Sequence, residues 1–477
     1  MIFTTFQFAV FFAAVFPLFF ALPRSWRYLM LLAASYYFYM CSIPWYITVI
    51  IVITLVDYAA GICIERSRSK RSRMAFLILS IVTNFGILLV FKYAAFFASN
   101  INDVFGLGLP VLRFILPLGI SFHTFQAVSY TIEVYRGRCP AERNLVKYAL
   151  YVAFFPQMVA GPIERPYNLL PQFHAAQSLS FDNFRAGMRQ MLWGLFKKVA
   201  VADLVAPAVN TVYASPQQFS GPLLVLATFF FAVQIYCDFS GYSDIAIGSA
   251  RMMGFRLMTN FRQPYFATSV VEFWHRWHIS LSTWFRDYLY IPLGGNRVSP
   301  ARHYANIMIV FLVSGLWHGA NWTFAVWGGL HGLYLIIGSL TAGVRARAKA
   351  ALGIGPSGPV QSLISGVFVF AIVTIAWVFF RAASVGDGLY IVTHFVDRAG
   401  FRPTDLFTLG LPRFEMAIAL VLIGVVAATE WAMTHSPRLT ALWSMHRSVR
   451  WAGYLACVFG VIFFGVFEGA EFIYFQF

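Results

Sequence analysis

The chain has 477 residues, of which 59% are hydrophobic and 11% are charged, and its mean hydropathy is +0.69. Soluble domains usually carry about 25% charged residues, so this composition excludes an ordinary soluble protein and predicts a polytopic membrane protein. The net charge of +16 is concentrated in short loops between apolar segments, which argues against nucleic acid as a partner.

Apolar segments recur along the whole chain. A transmembrane helix needs about 20 mostly apolar residues. Two further stretches, 186–207 and 238–255, could be buried, tilted or re-entrant. We therefore predict an all-α fold with roughly ten to thirteen membrane-embedded helices, forming one integral-membrane domain over residues 1–477. The predicted spans are 4–22, 28–43, 44–64, 75–99, 111–130, 146–161, 221–236, 305–318, 321–340, 360–380, 414–433 and 451–470.

A cationic run at residues 65–73 separates two of the early spans. Short loops rich in Lys and Arg mark the cytoplasmic side of a membrane protein. Arg24 and Arg27 fall on that side if the N-terminus faces outward, and residues 100–110 then lie outside. A contact with anionic lipid is the smaller alternative for the cationic run.

Two polar islands interrupt the middle of the chain. Prolines at both ends of residues 155–165 predict a helix that breaks there. Residues 237–244 place two acids and two serines around a glycine, without the GxSxG pattern of a nucleophile elbow. We interpret Glu164 and Asp238 as structural partners of Arg and Trp side chains rather than as catalysts.

The long connector at residues 256–304 is too aromatic for a disordered linker. At 100° per residue, residues 272–287 form an amphipathic helix with a tryptophan-rich face. It could be an interfacial helix whose polar groups reach water, or it could present functional groups. The spacing of its histidines and the absence of HExxH argue against a metal site. Its polar stripe comprises His275, His278, Ser282 and Arg286.

His318 lies inside a run without acidic or basic residues between Arg302 and Arg345. Polar groups at membrane depth are costly and are functional candidates by default. The flanking Gly315 and Gly319 have the small-xxx-small spacing that lets a backbone or a ligand approach closely, and Asn321 could orient the ring. The alternative is a structural histidine hydrogen-bonded between helices, which is the favoured interpretation for His331.

These stretches together resemble the membrane-bound O-acyltransferase family, especially its bacterial branch that acetylates alginate and other polysaccharides. The resemblance runs through nearly the whole chain. It implies a ring of helices around a central tunnel in the bacterial inner membrane, an O-acetyltransferase activity and a periplasmic acetyltransferase partner. The motifs that carry it are residues 116–123, 155–162, 276–297, 316–320 and 472–477.

The resemblance also implies which residues act. The essential family histidine of the Trp-His-Gly motif corresponds to His318, and the second family position, often Asn or His, corresponds to His278. Trp317 lies beside His318 in the same motif and is expected to line the tunnel. No tightly bound cofactor and no metal are expected.

Acyl transfer requires a base for the acceptor hydroxyl and a group that polarises the thioester carbonyl. We predict that His318 is the base, and that His278, with Ser282 or Asn321, orients the donor or stabilises the oxyanion. Arg286 and Arg297 could hold the phosphates of acetyl-CoA. A covalent relay through a histidine or a partner, a transporter or flippase without catalysis, and a secretion scaffold are the alternatives.

Overall fold

The structure, a computed structural model, describes residues 1–112, 114–158, 161–351, 358–407, 409–436, 439, 441, 445–467 and 472–473. Residues 159–160 and 474–477 of the motifs quoted above lie outside these ranges. Every regular element in the described ranges is helical, so the predicted all-α fold is confirmed. Its main helices are α1 (Phe6–Ala21), α2 (Arg24–Met40), α3 (Ile47–Arg66), α4 (Lys70–Leu88), α5 (Ala94–Phe105), α6 (Ile120–Tyr135), α7 (Leu145–Ala153), α8 (Phe155–Met158), α9 (Pro166–His174), α10 (Phe181–Leu195), α11 (Asp203–Ala214), α12 (Gly221–Met252), α13 (Val270–Arg276), α14 (Ile279–Phe285), α15 (Pro300–His318), α16 (Trp322–Leu340), α17 (Ala342–Ala351), α18 (Pro359–Arg381), α19 (Val385–Thr393), α20 (Arg413–His435) and α21 (Arg447–Phe464).

Within the described ranges, seven helices are long and apolar enough to cross a membrane. The protein is therefore a multi-pass membrane protein. The prediction of roughly ten to thirteen membrane-embedded helices is higher because it also included shorter apolar segments. One of these is α1, which has 16 residues. The seven spans are Pro44–Arg66, Lys70–Phe105, Gly221–Met252, Trp322–Leu340, Val360–Arg381, Arg413–His435 and Arg447–Phe464.

The chain divides into two compact units, and the first comprises Met1–Gly194 with Tyr242–Thr259. Buried polar contacts join its central helices. Asn84 of α4 donates to Asp57 of α3 at 2.8 Å, and Ser80 of α4 lies 2.9 Å from Thr131 of α6. Such contacts satisfy polar groups that water cannot reach in the interior of a membrane protein.

The predicted break near residues 155–165 is present in the first unit. Helix α7 ends at Ala153, and extended backbone at Phe154 separates it from α8. The carboxylate of Glu164 follows, fully buried, and accepts hydrogen bonds from Met258 N at 2.5 Å and from Asn168 Nδ2 at 2.6 Å. Glu164 is thus a structural partner of a backbone amide and an asparagine, and it interacts electrostatically with the neighbouring Arg165, which agrees with the structural role that we expected.

The second unit comprises Leu195–Gly241 with Asn260–Phe477, and the helical hairpin α15–α16 is its closest pairing. A Cβ atom at Gly315 would lie 2.1 Å from Phe324 O, and one at Gly328 would lie 2.2 Å from Phe311 O. Only glycine permits this approach of the two backbones. The hairpin places the end of α15, with His318, against the start of α16.

Helix α12 is one continuous helix of 32 residues, whereas the sequence suggested separate segments at 221–236 and 238–255. The polar residues at the presumed junction do not break the helix because they have partners inside the protein. Asp238, for example, lies 2.8 Å from the ammonium group of Lys198. The single domain and the central tunnel stay predictions.

Candidate functional site

His318 is the last residue of α15, and it lies in the second unit. Gly319 has extended backbone and ends the helix, and Asn321 begins α16 after a short turn. Only 4% of the His318 surface is exposed. The imidazole therefore lies at a helix end inside the protein, not in the middle of a lipid-facing helix.

Aromatic rings form the wall around His318. The ring centroids of Trp317 and Trp327 lie 4.9 Å and 5.0 Å from that of His318, both nearly perpendicular to it, and Phe380 lies at 5.3 Å. These rings exclude water from the imidazole without competing for its proton. Reactions that move a proton benefit from such a dry surrounding, because electrostatic interactions are stronger there.

His278 lies at a break between two short helices, not within one amphipathic helix. The prediction of a continuous helix over 272–287 is wrong: α13 ends at Arg276, and His278 has left-handed backbone with φ +41° before α14 begins. Asn260 stabilises the break, since its carbonyl accepts from Ile279 N at 2.9 Å and its side chain accepts from Ser280 Oγ at 2.8 Å. His278 at the break is buried, whereas His275 in α13 is exposed.

The His278 ring is fully buried among phenylalanines. Its centroid lies 4.6 Å from Phe239, edge to face, and 6.4 Å from Phe261, nearly parallel. Burial lowers the pKa of His278 to about 3, because the charged imidazolium loses its hydration. At neutral pH the ring is therefore uncharged and has one N–H donor and one acceptor nitrogen.

The fold brings His278 and His318 together although 40 residues separate them in the chain. Their ring centroids are 6.5 Å apart, and Trp317 contacts both, at 6.3 Å from His278 and 4.9 Å from His318. Two of the predicted catalytic side chains and one predicted wall residue thus form a single buried cluster. Their catalytic roles stay predictions.

The glycines beside His318 do not leave room for a ligand, which was one of the two uses that their spacing predicted. A Cβ atom at Gly319 would lie 2.0 Å from the Phe324 ring, and the space beside Gly315 is filled by the backbone of α16. The small residues serve the packing of the hairpin, which is the other use of this spacing.

Asn321 and Ser282 make contacts other than those expected. Asn321 caps α16 by accepting from Thr323 N at 3.1 Å, and its amide donates to Ala383 O at 3.2 Å, so neither of these two bonds orients His318. The Ser282 hydroxyl donates to Trp277 O at 3.2 Å and so supports the break beside His278. Asn321 therefore stabilises the start of α16, and Ser282 stabilises the backbone next to His278.

The two predicted phosphate-binding arginines lie at the surface, unlike the histidines. Arg286 is 59% exposed and donates to Asp287 at 2.8 Å, and Arg297 is exposed in the following turn. In the part of the chain that the structure describes, no three His, Cys, Asp or Glu side chains form a cluster that could hold a metal ion.

Several residues of this site carried no usable signal in the sequence. Asn260 shapes the break at His278 from 18 positions upstream, and only the fold shows it. Phe239 and Phe380 line the two imidazoles, but phenylalanine occurs 51 times in the chain and marks no position. Trp327 did carry a signal, because tryptophan occurs only 13 times in the chain and Trp327 lies one helical turn before His331.

Comparison with known proteins gives a consistent result. Residues 140–379 match the model of MBOAT, the membrane-bound O-acyltransferase family. The chain is 38% identical to the probable alginate O-acetylase AlgI of Azotobacter vinelandii, over 90% of this chain and 84% of that protein. It is 34% identical to a peptidoglycan O-acetyltransferase of Helicobacter pylori, over 80% and 75% of the two chains. A teichoic acid D-alanyltransferase of Streptococcus thermophilus is 28% identical over 46% of this chain and 56% of its own.

Proposed function

This chain belongs to the membrane-bound O-acyltransferase family and is an O-acyltransferase, and from that premise we propose that it moves an acetyl group from a cytoplasmic thioester toward an extracytoplasmic polysaccharide or a partner acetyltransferase. The names of the relatives support this proposal, since one is a probable alginate O-acetylase and another is a peptidoglycan O-acetyltransferase. The observation that carries it is the pair of buried imidazoles, His278 and His318, with ring centroids 6.5 Å apart.

The proposed reaction is a proton-coupled acyl transfer. The His318 imidazole accepts the proton of the acceptor hydroxyl as its oxygen attacks the thioester carbonyl carbon. A C–O bond forms, the carbonyl oxygen becomes negatively charged, and the N–H of uncharged His278 stabilises that oxygen. When the C–S bond breaks, the imidazolium of His318 returns the proton to the departing thiolate. The ester is formed and no proton is gained or lost.

Donor, partner and location belong to the same proposal. Acetyl-CoA or another acyl thioester is the donor, and the exposed Arg286 and Arg297 are candidates to hold its phosphates. The acceptor is a glycan hydroxyl or a hydroxyl of a periplasmic acetyltransferase. The protein lies in the bacterial inner membrane with its N-terminus in the periplasm.

Substitution of His318 tests the proposal. We expect His318→Ala, purified in detergent, to lose at least a factor of about 10² in acetyl transfer from labelled acetyl-CoA, because the substitution removes the proposed base. The matched control is His275→Ala, since His275 is an exposed histidine three positions before the buried His278. The readout is labelled ester on the acceptor together with thiol release.

Two outcomes would contradict the proposal. Normal transfer by a folded His318→Ala protein would remove the histidine from the chemistry. Substrate movement across reconstituted vesicles without thioester consumption would favour the transporter alternative.

A further inference from the structure

The second unit contains a buried cluster of charges that the proposed reaction does not use. The ammonium group of Lys198 lies 2.8 Å from Asp203 Oδ1 and 2.8 Å from Asp238 Oδ1. All three side chains are at most 5% exposed. The neighbouring Lys197 is also buried and donates to Ser240 at 2.8 Å.

Such a cluster is costly at this place. Asp238 lies near the middle of α12, one of the seven candidate spans. Buried ion pairs lose their hydration, and they often add no more stability than apolar residues of similar size. Charged residues inside membrane segments therefore point to a specific task.

The two carboxylates differ in what else they hold. Asp238 Oδ2 accepts a hydrogen bond from the backbone N–H of Ile473 at 2.7 Å, a contact that joins residues 235 positions apart. Asp203 Oδ1, in contrast, accepts a hydrogen bond from the Lys198 ammonium group at 2.8 Å. Asp238 is therefore the member of the cluster that anchors the segment at residues 472–473.

This anchored segment lies behind His278. The ring of Phe472, fully buried, lies 5.7 Å from that of Phe239, and Phe239 meets the His278 ring edge to face at 4.6 Å. Phe239 follows Asp238 directly in α12. A displacement of residues 472–473 would leave a gap beside Phe239 and so loosen the wall that holds the imidazole.

We propose that Asp238, held by Lys198, is a positioning residue for His278: by binding the Ile473 amide it seats Phe472 against Phe239 and thereby fixes the imidazole in its reactive orientation. The inference rests on the proposed function. Lys198 holds the Asp238 carboxylate in one orientation, and this carboxylate in turn holds residues 472–473 through the Ile473 amide. Displacements of about 1 Å at such a site can lower a rate by 10²-fold.

Substitutions of the two carboxylates give the sharpest test, because each variant leaves Lys198 paired with the other carboxylate. Asp238→Asn keeps an oxygen that can accept from Ile473, whereas Asp238→Leu removes it. Asp203→Leu is the matched control, because Asp203 shares the ammonium group but not the Ile473 contact. We expect Asp238→Leu to lower kcat about tenfold or more, with the donor KM within about twofold, while Asp238→Asn and Asp203→Leu keep the wild-type rate.

A second set of variants tests the contact between Phe472 and Phe239 without changing a charged residue. Phe472→Ala should lower kcat as Asp238→Leu does, and Phe472→Leu, which keeps most of the bulk, should restore most of the rate. This set decides the question if the Asp238 variants do not fold. Equal losses for Asp203→Leu and Asp238→Leu, a change in KM alone, or full activity of Phe472→Ala would overturn the positioning role.

Wild type and His318→Ala are measured in the same assay. If wild type transfers no acyl group, or if His318→Ala is fully active, the proposed function fails. If both behave as expected and the Asp238 and Phe472 variants are silent, only the positioning role fails.

Discussion

His278 has a backbone conformation that few residue types tolerate. Its φ of +41° lies in the left-handed region, where among residues with a side chain Asn, Asp and His are enriched several-fold. The resemblance to the family gives Asn or His at this position, and both suit the break between α13 and α14. The residue type is therefore limited by the backbone as well as by the chemistry.

A comparison of two substitutions separates these requirements. We expect His278→Asn to keep the melting temperature of wild type within a few degrees. His278→Val should lose at least about 1–2 kcal/mol of stability, because a β-branched residue is strained in the left-handed region. Thermal unfolding in detergent measures both. Equal stability of the two variants would show that the break does not constrain the residue.

At the level of secondary structure, the packing of the hairpin α15–α16 determines the position of the His318 side chain. Gly315 and Gly328 permit the two backbones to touch, and Gly319 leaves room for the Phe324 ring. Because His318 is the final residue of α15, any shift of α15 along α16 moves the imidazole relative to Trp327 and Phe380. Helix packing and site geometry are therefore coupled.

Glycine substitutions along α16 test this coupling. We expect Gly328→Ala to destabilise the protein by roughly 1–3 kcal/mol and to lower activity, since its Cβ would lie 2.2 Å from the Phe311 carbonyl oxygen. Gly338→Ala lies on the same helix with nothing within 4 Å of its Cβ. That control should be neutral or more stable by about 0.5–1 kcal/mol, and a similar loss at both glycines would contradict the close crossing.

At the scale of the whole molecule, apolar helices alternate with cationic connectors. Helix α3 ends at Arg66 and α4 begins at Lys70, so the cationic run at residues 65–73 occupies two helix ends and the connector between them. From the distribution of Lys and Arg we expect this connector to face the cytoplasm and residues 100–110 to face the opposite side.

Cysteine labelling tests this orientation. The background is a variant without the five native cysteines, none of which forms a disulfide. With a membrane-impermeant maleimide added to intact spheroplasts, we expect Leu107→Cys, at an exposed position, to react. Ser69→Cys, also exposed, should react only after the membrane is opened. The reverse pattern would invert the proposed topology and place the N-terminus in the cytoplasm.

The class of the protein and the segments that contain its proposed catalytic residues could be predicted from the sequence. Hydropathy and charge are local properties, so they predicted the all-α membrane fold and most span positions. The motifs around residues 278 and 318 are contiguous, and the resemblance that they carry agrees with the family match over residues 140–379. His318 within the uncharged run between Arg302 and Arg345 could be identified for the same reason.

The arrangement of those residues depends on contacts between distant segments. The predicted helix over 272–287 breaks at His278, where Asn260 binds Ile279 N and Ser280 Oγ at the start of α14, and helical periodicity contains no information about that partner. The glycines beside His318 serve packing because α16 folds back onto them. The pairing of Asp238 with Lys198 and Ile473 joins distant parts of the chain. Each of these contacts depends on which segments become neighbours, and that is a property of the fold and not of any local pattern.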